Sequence, residues 1–299
     1  MAARLLTVLA ALLSTTSASA YVRATSPKSG KPFVWLESCI VVQADGRGSQ
    51  DLPIDVVDAT LARAAANWSS LTDTCGDLRL TTTPARGMAE VAADGRPVVV
   101  FRDLAWQRPG GMPHDPSAIG LTTVFHVSTP GLPGDATILD TDIELNGVNF
   151  TFTTDPANAM PRLDTVIADL ENTLTHELGH VQGLAHTCWD HQSDTPPSDD
   201  QGMPAPDCDG PLPQTVMDAT MYPYALMPGE ISKRSLTDDD ERGVCNTYPN
   251  SQPQAACFQR VQNGGLGCGV AADRAPVGGL LLVLALVQVL RSRSRARSR

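Results

Sequence analysis

Apolar positions along this chain change their period several times, and each change marks an element. In VWLESCIVVQ (residues 34–43) β-branched and aromatic residues gather as in a strand, and in the DLPIDVVDATLARAAANWSSLTDTCG that follows, Val56, Leu61, Ala65 and Trp68 recur at helical spacing. RPVVVFRD (96–103) is a short, nearly continuous apolar run, the pattern of a buried strand. Gly and Pro crowd residues 108–134, interrupted by the strand-like LTTVFHVST; ATILDTDIELN then alternates as a sheet strand does, with NFTFTT as its hairpin partner or edge. A long helix is predicted from about Pro161, since proline suits a first helical position. Residues 187–214 lose all periodicity and fill with Pro, Asp and Gly, so they predict a surface loop. A last helix is predicted from Thr237, which can cap it, with the acids that follow favouring its positive end. No internal repeat is present. The reading is a mixed α/β domain over residues 21–248, followed by a Gln-, Gly- and Pro-rich linker over residues 249–275.

The two ends change the picture. Residues 1–20 combine Arg4, a short apolar stretch and Ala18-Ser19-Ala20, the pattern of a secretory signal cleaved before Tyr21. The last residues, 276–299, read as an apolar segment (PVGGLLLVLALVQVL) closed by five arginines in RSRSRARSR, which predicts membrane contact with the arginines on the cytoplasmic side. Between the ends, residues 21–267 carry 15 Lys and Arg against 32 Asp and Glu, a formal charge of −17. So acidic a body makes nucleic acid an unsuitable partner.

Seven cysteines, at 39, 75, 188, 208, 245, 257 and 268, are an odd number for an exported chain. If Cys268 belongs to the tail, six remain for disulfides. Neighbour pairing would join Cys39 to Cys75, Cys188 to Cys208 and Cys245 to Cys257, although 15 connectivities exist.

The chemistry concentrates in HELGHVQGLAH, residues 176–186. His176 and His180, four apart, share one face of a helix and can share one cation. Glu177 sits beside them, placed to take a proton from a water activated by zinc. A third ligand cannot come from the same straight helix, so Gly183 is expected to end it in the left-handed conformation and return His186 to the metal. Three histidines and an open position describe a catalytic rather than a structural zinc site.

These residues complete HExxHxxGxxH, and the chain here resembles the metzincin zinc endopeptidases, in particular the matrixins. That resemblance implies a zincin fold of α+β type: a twisted mixed sheet crossed by an active-site helix, a methionine turn and a C-terminal helix. It maps the turn methionine onto Met221 in ATMYPYA, with Met217 and Met227 as competitors, and it makes Asp239 and Asp240 supports of the site. It implies one catalytic zinc and protein or peptide substrates; the second, structural zinc that animal matrixins carry is not expected here, because His114 and His126 lack enough partners and read as loop or strand residues. Asp140, Asp142 and Glu144 alternate on one strand face, as a solvated acidic surface or a calcium site would. Residues 187–214 become an insertion beside the cleft, its His191 and acids expected at the surface, while Tyr222 or Tyr224 could steady an oxyanion. The Cys268-Gly, apolar, arginine-rich ending resembles the sorting tails of exported myxobacterial proteins, which implies anchoring at the cell surface. An adhesion protein on the same fold, or a zinc hydrolase of non-peptide substrates, stays open as an alternative.

Overall fold

The structure, a computed structural model, describes residues 21–250. The stretch read as a secretory signal, Cys257, Cys268 and the apolar, arginine-ended tail lie outside the described residues. Among those described, no helix is long and apolar enough to cross a membrane.

In chain order the elements are β1 (Val22–Arg23), β2 (Cys39–Ala44), α1 (Ile54–Ser69), β3 (Arg79–Thr83), β4 (Val98–Phe101), β5 (Gly120–His126), β6 (Ile138–Leu145), β7 (Phe150–Thr153), β8 (Val166–Asp169), α2 (Leu170–Val181), β9 (Leu184–Ala185), α3 (Gln214–Asp218) and α4 (Asp238–Thr247). The main sheet is mixed, in the order β3-β2-β4-β6-β5. Its first four strands run parallel, and β5 closes one edge antiparallel to β6. Parallel neighbours need a crossover, and α1 supplies the one between β2 and β3. Its buried stripe is Val57, Thr60, Leu61, Ala64, Ala65 and Trp68, with Val57 rather than Val56 on the inner face. Burying Leu61 alone stabilises the fold by about 1.5–3 kcal/mol. Trp68 also donates its indole N–H to the Thr175 carbonyl at 2.8 Å, which ties α1 to α2 directly beneath the histidine motif.

Several sequence expectations change. The helix does not begin at Pro161. Asp164 adopts a left-handed φ of 59°, residues 166–169 pair in parallel with β7, and Asp169 then caps α2 by accepting from the Asn172 N–H at 2.9 Å. For the same reason β7 is not a hairpin partner of β6. Strand β3 escaped notice because RLTTT has no apolar run; its threonines are β-branched and suit an extended chain. The start of the expected linker is held in place, with Pro249 bridged to Gly76 and the Asn250 N–H bonded to the Cys75 carbonyl at 2.9 Å.

Two of the three neighbour disulfides are overturned. Cys75 pairs with Cys245, 170 residues away, because the turn after α1 meets α4 with a Cα separation of 5.3 Å. That excludes Cys39 with Cys75 and Cys245 with Cys257; Cys39 is itself disulfide-bonded. Cys188 pairs with Cys208 across the long loop.

The acidic face of β6 is not solvated. Asp140, Asp142 and Glu144 are buried, and residues 92–98 fold over the first two. Asp140 accepts from the N–H groups of Asp94 and Gly95, and Asp142 from those of Ala92 and Val98. Glu144 accepts from Arg102 at 2.8 Å and Arg108 at 2.6 Å. Backbone N–H and guanidinium donors thus hold all three carboxylates.

Candidate metal centre

α2 is buried along nearly its whole length, and it brings His176, Glu177 and His180 to one face. After Val181 the helix stops. Gly183 has φ +86°, and its N–H bonds to the His180 carbonyl at 2.9 Å. A Cβ at Gly183 would also come within 2.9 Å of the Phe33 carbonyl oxygen, so glycine is needed for both conformation and space. The reversed chain pairs β9 with β1 and delivers His186 to the other two histidines. The three imidazoles offer ligand atoms within 4.8 Å of one another and could hold one metal ion.

Hydrogen bonds behind the rings decide which atoms face inward. His176 Nδ1 lies 2.6 Å from the Thr220 carbonyl, His180 Nδ1 2.9 Å from the Leu184 carbonyl, and His186 Nδ1 2.6 Å from Asp190 Oδ2. Carbonyl and carboxylate oxygens only accept, so each Nδ1 carries a proton, and a ring in its neutral form keeps its Nε2 lone pair. The Nε2 atoms of His180 and His186 stand 3.2 Å apart. Lone pairs that close repel, and a shared cation between them converts the repulsion into coordination. Burial, then the neighbouring histidines and Lys233, hold His176 well below the usual imidazole range. Burial likewise pushes His180 down to about 3. Neutral imidazole is the form that binds metals.

Glu177 packs against the edge strand β5. Thr122 donates its hydroxyl to Oε2 at 2.6 Å, and burial drives the carboxyl up to about 7 against that bond. Gly120 on the same strand has no side chain for a physical reason, since a Cβ there would overlap the Glu177 carboxylate.

Met221 is 1% exposed and lies directly against Gly179, where a Cβ would collide with its Sδ. Of the three candidate methionines it alone sits under the histidines. Met217 packs with the small cluster around Cys188 and Cys208, and Met227 is exposed. Asp240 holds the turn: it accepts from Thr220 N at 3.0 Å and Met221 N at 3.3 Å while completing the capping box with Thr237 at the start of α4. Thr220 in turn is the carbonyl partner of His176. Asp239 pairs with Arg242 on its own helix.

Elsewhere, His114 meets Trp106 edge-on and His126 lies tilted against Phe33, and neither joins the group formed by His176, His180 and His186. His191 is exposed and pairs with Asp207 at 3.0 Å; with Asp209 these form a second, fully exposed group of ligand atoms. Tyr222 is buried and Tyr224 half-exposed.

No protein-family model matches the chain, and no curated protein sequence matches it.

Sequence reasoning missed three residues at this centre. Asp190 had a signal, since it follows His186 at the same spacing of four that joins His176 to His180. Thr122 had none, because it reaches Glu177 from a strand 55 residues earlier. Lys233 had none either; it is a buried lysine in the short 3-10 turn over Ser232–Arg234, which packs on α2.

Proposed function

We propose that the chain is an exported zinc endopeptidase. The observation that carries this reading is the convergence of three Nε2 lone pairs, each fixed by an acceptor on the opposite ring nitrogen, beside a buried carboxyl on the same helix. Three imidazoles are a donor set that suits zinc, and the resemblance of HELGHVQGLAH to the metzincins favours that ion over others. When bound by His176, His180 and His186, zinc supplies Lewis-acid polarisation of a carbonyl and a lowered pKa for a water.

The chain's own groups do the rest. Glu177 is the proton carrier: Thr122 occupies Oε2, which leaves Oε1 to take the proton of the attacking water and pass it to the leaving amine. A carboxyl whose affinity for protons lies near neutrality can do both, since neither transfer is strongly uphill. Thr220, Leu184 and Asp190 orient the three rings, and Met221 floors them. The loop over residues 187–214, crossed by the Cys188–Cys208 disulfide and tied to His186 through Asp190, borders the substrate groove. The signal segment and the Cys268-containing tail support export and attachment at the surface, and the disulfides suit an oxidising compartment.

Casein or a peptide library, incubated with the purified protein with and without a chelator, tests the reading. Chelator-sensitive cleavage restored by zinc is expected. Zinc-loaded protein that cleaves no peptide bond would overturn it.

A further inference from the structure

The loop over residues 187–214 carries a second group of ligand atoms, which the three-histidine centre does not use. His191 Nε2 lies 3.0 Å from Asp207 Oδ1 and 3.6 Å from Asp209 Oδ2. A single ring N–H makes one good hydrogen bond, which accounts for Asp207 and leaves the approach of Asp209 unexplained. Even a protonated ring would offset only one of the two carboxylate charges, and residues 187–214 contain no Lys or Arg to offset the other. Nitrogen and oxygen ligands arranged tetrahedrally at about 2.0–2.2 Å from one ion stand roughly 3.3–3.6 Å from each other, so these separations are close to those that coordination imposes. The Nε2 atoms of His180 and His186, at 3.2 Å, show the same spacing.

The two stretches that supply the ligands are already fastened together. The Cys188–Cys208 disulfide joins them, Trp189 bridges to Asp207, and the Cys208 N–H bonds to the Trp189 carbonyl at 3.0 Å. Asp207 Oδ1 accepts from the Asp209 N–H at 2.9 Å, which draws the two acids to one side. The Trp189 ring lies 4.0 Å from the His191 ring and limits how that imidazole can turn. All three ligand residues are exposed, so an ion can reach them from solvent.

We propose that His191, Asp207 and Asp209 form a second metal site, which takes a divalent transition ion such as zinc. An imidazole with two carboxylates suits such an ion better than calcium or magnesium, which take oxygen ligands. Bound there, the ion cross-links residues 191 and 207–209 at the neck of the loop, next to Asp190, whose carboxylate holds His186. Its role is structural: it adds a second fastening beside the disulfide. The inference does not depend on the peptidase reading.

Equilibrium dialysis against buffered free zinc, up to about 10 μM, counts the ions bound per chain. His191→Ala and Asp209→Asn should each bind one equivalent fewer than the unaltered protein, and that difference reads the same whether or not the three histidines hold zinc. Both positions are exposed, so the variants should keep the stability of the parent. Excess calcium should leave the second equivalent in place; its displacement by calcium would overturn the assignment to a transition ion. Equal stoichiometry in parent and variants would overturn the proposal, as would a difference that emerges only at far higher zinc, the behaviour of an adventitious ion. An equivalent lost in these variants, alongside a parent that cleaves no peptide bond, would sink the peptidase reading and leave this site standing.

Discussion

Each histidine in this centre depends on an oxygen behind it, and the three oxygens differ in kind. Thr220 and Leu184 offer backbone carbonyls, which no substitution at those positions removes, whereas Asp190 offers a side chain. Asp190→Asn should therefore weaken zinc binding by roughly 10–100-fold, because the amide can turn its N–H₂ toward Nδ1 and unfix the tautomer. Competition against a fluorescent zinc indicator measures this; unchanged affinity would remove Asp190 from the centre. Glu177 makes a contrasting prediction. Glu177→Gln keeps the size and the Thr122 contact yet carries no proton, so peptide cleavage should fall by at least about 10² while stoichiometric zinc is retained. At this scale the sequence was legible where spacing carries geometry. The i, i+4 histidines and the left-handed Gly183 could be read directly; Thr122, brought in by the tertiary approach of β5, could not.

Among the elements, α2 and the turn at Met221 form one unit, locked by close approach at Gly179. Gly179→Ala would thrust a methyl group into the Met221 Sδ in a packed interior, and it should cost about 1–3 kcal/mol of stability, read as a lower urea midpoint at an unchanged slope. A neutral result would mean that the turn at Met221 yields freely. The α4 helix was legible from its cap, since Thr237 and the acids after it need only local chemistry, and the structure supplies the capping box that such a start predicts. The start of α2 was not. LDTVIADL has helical spacing, but pairing of residues 166–169 with β7 is decided by a strand that the local pattern cannot see. Burial of the β6 acids was hidden for a similar reason: alternation showed that they share a face, and only the fold showed that residues 92–98 cover the first two.

For the whole molecule, the Cys75–Cys245 bond spans most of the described chain and joins the turn after α1 to the last helix. Closing so long a loop restricts the unfolded chain, so removing it through Cys75→Ser should cost about 2–4 kcal/mol. Peptide mapping without reduction should recover Cys75 joined to Cys245. The neighbour pairing failed because proximity along the chain says little once a crossover fold brings its two ends together.

Molecular stability should also respond to Asp142. Burial first, and then the charges of Asp140 and Asp94, raise its pKa to about 7, opposed by N–H donors from Ala92 and Val98. A carboxyl raised in this way holds its proton more tightly folded than unfolded. It therefore contributes stability below the ordinary carboxylate range, and that contribution is lost as pH rises toward and through about 7. Urea midpoints at pH 5 and pH 8 should show a fall that Asp142→Asn makes shallower; an equal fall in both proteins would contradict the buried protonated acid.

The central claim is that His176, His180 and His186 hold a single zinc through Nε2. X-ray absorption at the zinc edge, on protein given one equivalent and dialysed, tests it most directly. The account predicts one retained zinc per chain with three imidazole nitrogens at about 2.0–2.1 Å and one further light atom. Zinc lost on dialysis, or a shell without three imidazoles, would contradict it.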